Sequence, residues 1–177
     1  MSLPATSRNQ VENLASEVLK KHGLNSIPIN PVVLAQKEGF MVNNAKFSDD
    51  SLSGMIAKKG ENLMILVRAE DSPNRKRFTI AHELGHHFLH LLKDGEFVDR
   101  ESDMFREDFR VQEQAAKESY RSEWEANWFA AALLMPADQV HYFWKTIKSI
   151  ATLAEHFGVS EEAMGYRLDK LGLSLDD

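Results

Sequence analysis

His82, Glu83 and His86 stand together in the run RKRFTIAHELGHHFLHLL, near the middle of the chain. On a helix, residues four apart share a face and lie one turn apart. That places two imidazole nitrogens where a tetrahedral zinc ion can use them. Glu83 points along an adjacent side of the same turn, where it can take a proton from a metal-bound water. Two histidines, a divalent ion and a carboxylate base are the equipment for hydrolysing a peptide bond. The pattern carries this meaning only on a helix. Phe78, Ala81, Leu84, Phe88 and Leu92 recur at helical spacing and give such a helix an apolar face. The competing reading is a solvated, histidine-rich helix in a chain that holds seven histidines. A third ligand further along the chain decides between the two.

The stretch SEWEANWFAAALLMP offers one. Trp124, Trp128, Ala131 and Leu134 or Met135 form a helical stripe, and Pro136 closes it. Glu123 is the third-ligand candidate. Asn127, four residues on and on the same face, is placed to hydrogen-bond the other nitrogen of a ligand histidine. Glu125 lies about 200° round the helix from Glu123, so only one of the two acids can meet the metal, and Glu125 is the alternative ligand. Small Ala126 lets this helix pack close to the histidine helix. Tryptophans on both sides imply burial, which ordinary surface acids would not need. An oxyanion donor is also required. His141, Tyr142, Tyr166 and Arg167 are all open for that role. His87 and His90 carry no assigned role.

The elements that must position these groups follow from the flanking sequence. Residues 7–22 read as an amphipathic helix with Val11, Leu14, Ala15, Val18 and Leu19 on one face and Gly23 as its stop. Pro28 and Pro31 lead into a short second helix that Gly39 ends. The period then changes. FMVNNAKF, SLSGMIAKK and ENLMILVR predict a three-stranded antiparallel sheet, the last strand apolar on both faces and therefore central or well covered. Ser72 and Pro73 start the histidine helix. Residues 93–122 hold more acids than bases and read as a solvated loop. Their scattered Phe97, Phe105, Phe109 and Tyr120 also suit a flap beside the metal. The tail is helical, with a turn at residues 157–159 and Ser160 as an N-cap, the spacing of a helix-turn-helix. From Ala151 to Asp177 two bases and six acids leave it at −4, which favours a packing or docking pair over a reader of DNA.

The bulk composition sets the frame. With 177 residues the chain suits one domain with a core, or one domain and a small appendage. A hydrophobic content of 43% and a charged content of 27% are ordinary for a globular protein. There is no cysteine, so neither a disulfide nor a thiolate metal site can form. The first residues lack the pattern of a signal peptide, and no apolar run is long enough to span a membrane. A cytoplasmic protein is expected. A net charge of −6 argues against a strong sequence-independent hold on nucleic acid. The fold class expected is α+β, mostly helical, with residues 1–147 as the metal-binding domain and 148–177 as a helix-turn-helix-like subdomain packed on it.

Several separated stretches now point one way. RFTIAHELGHHFLH, FVDR, EWEANWFAAALLMP, LAEHFGVSEEAMGYRLDKLGL and the upstream SLSGMI resemble the ImmA/IrrE family of metallo-endopeptidases, over a span from about Leu14 to Leu173. The resemblance implies a zincin-like fold with a thermolysin-like site, in which Zn2+ is held by His82, His86 and Glu123 and Glu83 is the catalytic base. It also implies a specific protein substrate, such as a helix-turn-helix repressor encoded nearby or an antitoxin-like regulator, and a role in switching stress or transfer genes. Many relatives carry a DNA-binding module ahead of the protease. No room for one precedes Val11, so the regulator is expected to be a separate protein. Two rivals remain: a metal-bound module that holds a regulator without cutting it, and a DNA-binding regulator that uses the tail.

Overall fold

The computed structural model describes residues 7–49, 51–90, 97–101 and 118–174. Helix α1 (Arg8–His22) opens on a reciprocal cap. The Ser7 hydroxyl accepts from the Gln10 N–H at 3.3 Å, and the Gln10 side chain accepts from the Ser7 N–H at 2.7 Å. Gly23 ends the helix in the left-handed region, at φ 66°. Its buried face is Val11, Ala15, Val18 and Leu19. Helix α2 (Pro31–Lys37) starts on Asn30, whose side chain accepts from the Val32 N–H. Three strands follow, β1 (Phe40–Ala45), β2 (Leu52–Lys59) and β3 (Asn62–Arg68), then helix α3 (Pro73–Leu89). Ser72 caps α3 and Pro73 stands in its first turn, where a missing N–H costs nothing. After it come strand β4 (Phe97–Glu101) and helices α4 (Glu118–Leu134), α5 (Ala137–Trp144), α6 (Ile150–Phe157) and α7 (Glu161–Leu171).

The chain is α+β, as its sequence implies, but its sheet differs from the expected one. It has four strands, in the order β1-β3-β2-β4, and it is mixed. β2 pairs antiparallel with β3 and β4, whereas β1 runs parallel to β3. The reason lies in the β1–β2 connection. Arg68, at the end of β3, donates from Nε to the Leu52 carbonyl at 2.7 Å and from Nη2 to the Asp49 carbonyl at 2.5 Å. The connection is thereby drawn across the end of β3 instead of folding back as a hairpin. Parallel strands need such a crossing, and antiparallel ones do not. β3 is left between β1 and β2, the covered position its two apolar faces require. The acidic run also differs from a plain loop. Residues 97–101 are a strand on β2, and α4 already begins at Glu118. Residues 91–96 and 102–117, and with them most of the expected flap, lie outside the described residues.

One core joins these layers. Ile56, Ile65 and Val67 of the sheet, Ile80, Ala81 and Leu84 of α3, and Phe129 and Leu133 of α4 belong to the same buried cluster as Leu153, Phe157, Met164 and Leu168 of the last two helices. Each of these side chains larger than alanine contributes about 1.5–3 kcal/mol by leaving water. Truncating fully buried Leu84 to alanine costs about 2–5 kcal/mol, because it also leaves a cavity under the histidine helix.

The last two helices are held to α3 and α4 by polar contacts as well. Gly158 makes the turn at φ 65°, and the Ser160 hydroxyl accepts from the Ala163 N–H to start α7. Asn74 Nδ2 donates to the Val159 carbonyl at 3.0 Å. Arg77 donates to the Gly158 carbonyl at 2.9 Å and to the Ile29 carbonyl at 2.6 Å, and burial lowers its pKa. Arg167, itself buried, forms a two-point ion pair with Glu12 and donates to the Met135 carbonyl at 2.9 Å.

Candidate metal centre

α3 and α4 pack face to face around a point of unusually close approach. A Cβ added to Gly85 would stand 2.9 Å from the Ala126 Cα. The absent side chain on one helix and the methyl on the other bring the backbones together, so His82 and His86 can meet a residue of α4. That residue is Glu123. Its carboxylate lies 3.2 Å from His82 Nε2 and 3.5 Å from His86 Nε2, and the two imidazole nitrogens are 3.0 Å apart. These are the three groups that converge as possible metal ligands among the described residues.

The spacing fits a tetrahedral ion. Ligand atoms at 2.0–2.1 Å from a tetrahedral centre are about 3.3 Å from one another, and the three observed separations bracket that value. The donor set of two imidazoles and one carboxylate is borderline in hardness and suits zinc. The rings are also oriented for it. His82 Nδ1 lies 2.8 Å from Asn127 Oδ1. An amide oxygen only accepts, so Nδ1 carries a proton there, and Nε2 is the nitrogen left to face Glu123, as a donor to its carboxylate in the metal-free chain and as the ring's atom for a metal.

The electrostatics of the cluster are those of a charged pair in a dry place. Burial opposes the charged form of His82, but its hydrogen bond to Glu123 and the negative charges of Glu83 and Glu123 outweigh this and raise its pKa. Burial pushes Glu123 upward, and hydrogen bonds from His82 and His86 pull it well below the ordinary carboxylate range.

Glu83 stands on the same turn as His82, buried between α3 and β2. The strand reaches it because position 54 is glycine. A Cβ there would stand 2.2 Å from Thr79 Cγ2 and 3.2 Å from Glu83 Oε1. Gly54 and Thr79 are the neighbours that sequence reasoning missed, although an isolated glycine inside a strand pattern does signal close backbone approach.

The other named residues go elsewhere. Glu125 is not brought to the cluster; it is buried beside Arg121 Nε at 3.2 Å and His90 Nε2 at 3.5 Å. His87 turns away to Glu38 at 3.1 Å, and Glu38 also meets His22 at 2.8 Å. Of the four open oxyanion donors, Arg167 is committed to Glu12 and Met135. His141 is tied to the Ala137 carbonyl, and Tyr142 is exposed on α5. Tyr166 lines a hollow that Asn127 also lines.

Residues 35–169 match the family model of the M78 peptidases described as the IrrE N-terminal-like domain. The chain is 30% identical over 151 residues to the radiation response metalloprotease IrrE of Deinococcus deserti, an alignment covering 83% of this chain and 44% of that protein. A solved Mycobacterium tuberculosis transcriptional regulator shares its fold, with a TM-score of 0.66 at 20% identity over 91% of this chain and 46% of that one. The chain therefore spans under half the length of these two relatives. With the model match running through the histidine helix, the Glu123 helix and the final helical pair, the chain belongs to the ImmA/IrrE family of metallopeptidases.

Proposed function

We propose that this chain is a zinc-dependent endopeptidase acting on a specific protein, a helix-turn-helix repressor or an antitoxin-like regulator. The observation that carries the reading is the meeting of His82, His86 and Glu123 at separations suited to one tetrahedral ion, with a second buried acid, Glu83, on the adjoining side of α3. In this reading His82, His86 and Glu123 hold the ion, and Asn127 fixes the ring of His82. A zinc ion so held supplies Lewis acidity at neutral pH. Glu83 takes the proton of the attacking water and returns it to the leaving amine. Its burial between α3 and β2 keeps that proton from bulk solvent.

The proposal includes a cytoplasmic setting, which the lack of cysteine suits. No helix among the described residues is long and apolar enough to cross a membrane. It also includes a division into a zincin-like unit over 1–147 and a helix-turn-helix-like unit over 148–177, packed together through Arg77, Asn74 and Arg167.

The test is a Glu83→Gln variant incubated with candidate regulators, beside the wild type with and without chelator. The variant is expected to bind zinc as the wild type does and to cut nothing. Zinc loss in the variant, or undiminished cleavage, would remove Glu83 from its role. Chelator-sensitive binding of a regulator without any cleavage by the wild type would replace the hydrolase with a holding module.

A further inference from the structure

The two edges of the sheet, among the described strands, are built differently. β4 carries Asp99, Arg100 and Glu101, and its pairing with β2 shifts register between Leu52 and Gly54. Charges and irregular pairing protect an edge against a further strand. β1 has neither. Phe40–Ala45 reads FMVNNA, without a charge or a proline, and its pairing with β3 is unbroken over all six residues. The Ala45 carbonyl accepts from the Ala69 N–H at 2.8 Å, so Met41, Asn43 and Ala45 are the residues that bond β3. Alternation turns the N–H and C=O of Phe40, Val42 and Asn44 to the free side. Among the described residues no hydrogen bond meets these main-chain groups. The edge is open as well. Asn43 and Asn44 are both exposed, and Met41, at 53%, is among the few large apolar side chains left so.

We propose that β1 pairs with β1 of a second copy of this chain, antiparallel, about a two-fold axis at Val42. The outward groups belong to Phe40, Val42 and Asn44 and are symmetric about the middle residue. Val42 then exchanges both bonds with Val42 of the second copy, and Phe40 does so with Asn44 of the second copy on either side of the axis. Every outward group finds a partner in this register, and a shift by one residue would match none of them. Met41 comes opposite Asn43 of the second copy, on the face away from the helices. No charged side chain of the strand meets its like, although the chain as a whole carries −6. Exposed Lys46 falls where Glu38 of the second copy leaves α2, which sets opposite charges at both ends of the pair. This self-complementarity commits the edge to a second copy instead of a foreign strand. One sheet then runs through both copies. β2, the strand beside Glu83, is separated from this edge by β3, so pairing leaves the candidate metal centre as it is, and the inference does not depend on the hydrolase reading.

Sedimentation equilibrium of the full chain tests the pairing. So short an interface makes a weak dimer, and the average mass is expected to climb from 20.1 kDa toward twice that between about 10 μM and about 1 mM. Asn44→Pro removes one outward donor and no ladder bond, and should weaken association about tenfold or more. Met41→Lys, which alters no main-chain group, should act likewise by charging the edge. Neither change should alter zinc content. The register can be read separately, because the chain has no cysteine of its own. Met41→Cys and Asn43→Cys proteins, mixed and oxidised, should cross-link to each other in several-fold higher yield than either does alone, since only the mixed pair stands at a Cα spacing of about 4.5 Å. A mass that stays at 20.1 kDa throughout, association unchanged in both edge variants, or equal cross-linking in the three oxidations would overturn the proposal, whatever other strand can be made to bind the edge.

Discussion

The Ala126 Cα would lie only 2.9 Å from a side-chain carbon on Gly85, so the two helices that carry the candidate ligands are spaced by the absence of an atom. Gly85→Ala gains about 1 kcal/mol of helix propensity. It loses more through overpacking, about 1–3 kcal/mol, because the obstacle is backbone and cannot swing aside. A lowered denaturation midpoint and reduced zinc content are expected together. Gly165→Ala is the contrast, since a Cβ there meets nothing within 4 Å. That change in α7 should stabilise the protein by about 0.5–1 kcal/mol. Equal effects at the two sites in chemical denaturation would refute the spacing argument.

Asn127 holds His82 by the nitrogen that faces away from Glu123. Removing such a support costs metal affinity about 10- to 100-fold. Asn127→Leu should lose zinc in a competition titration to that extent, while Asn127→Asp, which still accepts from Nδ1–H, should keep most of it. An unchanged affinity in the leucine variant would show that the ring needs no such anchor.

Protons and metal should compete at His82. Its raised pKa means that the metal-free ring stays protonated to a pH above the ordinary histidine value of 6.5. Zinc uptake at pH 7 should therefore release protons, and affinity should climb as pH rises through and beyond that value. In the metal-free chain the sign is opposite. The contribution of His82 to folding is complete below pH 6.5 and is lost as pH rises through its raised pKa; that of Glu123 is present above pH 4.5 and is lost as pH falls through its depressed one. Calorimetric zinc titrations in buffers of different ionisation enthalpy read the released protons directly. A result of none would contradict the charged cluster.

Arg167 and Glu12 join the last helix to the first through a largely buried ion pair. Removing one partner strands the other, at a cost of about 3–5 kcal/mol when the pair is fully buried. Glu12 keeps some contact with water, so Glu12→Gln should fall below that range and Arg167→Met within it. The double change Glu12→Leu with Arg167→Met should recover part of the loss. Strict additivity of the two single changes in denaturant titrations would count against the pair.

Much of the centre was legible because its chemistry is periodic. His82 and His86 repeat at the helical spacing, and Glu123 and Asn127 repeat it on the partner helix, each just ahead of a tryptophan. The destination of Glu125 was less legible: its partners Arg121 and His90 are an ordinary helical neighbour and the residue just past the end of α3. The helices were readable from caps at Ser72 and Ser160 and from stops at Gly23 and the turn at Gly158, whereas Ser7, read as part of the first helix, proves to be its cap. The sheet was not fully readable. Alternation finds strands but says nothing of which neighbour each one chooses, and the parallel position of β1 depends on Arg68 gripping a connection far from it in sequence. β4 was hidden for another reason: five residues of mixed charge and apolarity, set in an acidic run, carry too short a pattern to stand out.

The place of β4 bears on how a target can approach. Gly54 of β2 touches Glu83, and the same stretch of β2 pairs on its outer side with residues 97–101. The main-chain donors and acceptors nearest the acid are thus already taken by the protein's own strand. An incoming peptide that sought to lie along β2 would have to displace β4, and among the described strands one that left β4 in place could extend the sheet only at that strand's far side or at β1, the opposite edge. Entry is in that sense a contest between two backbones for one row of partners, decided before any side chain is read.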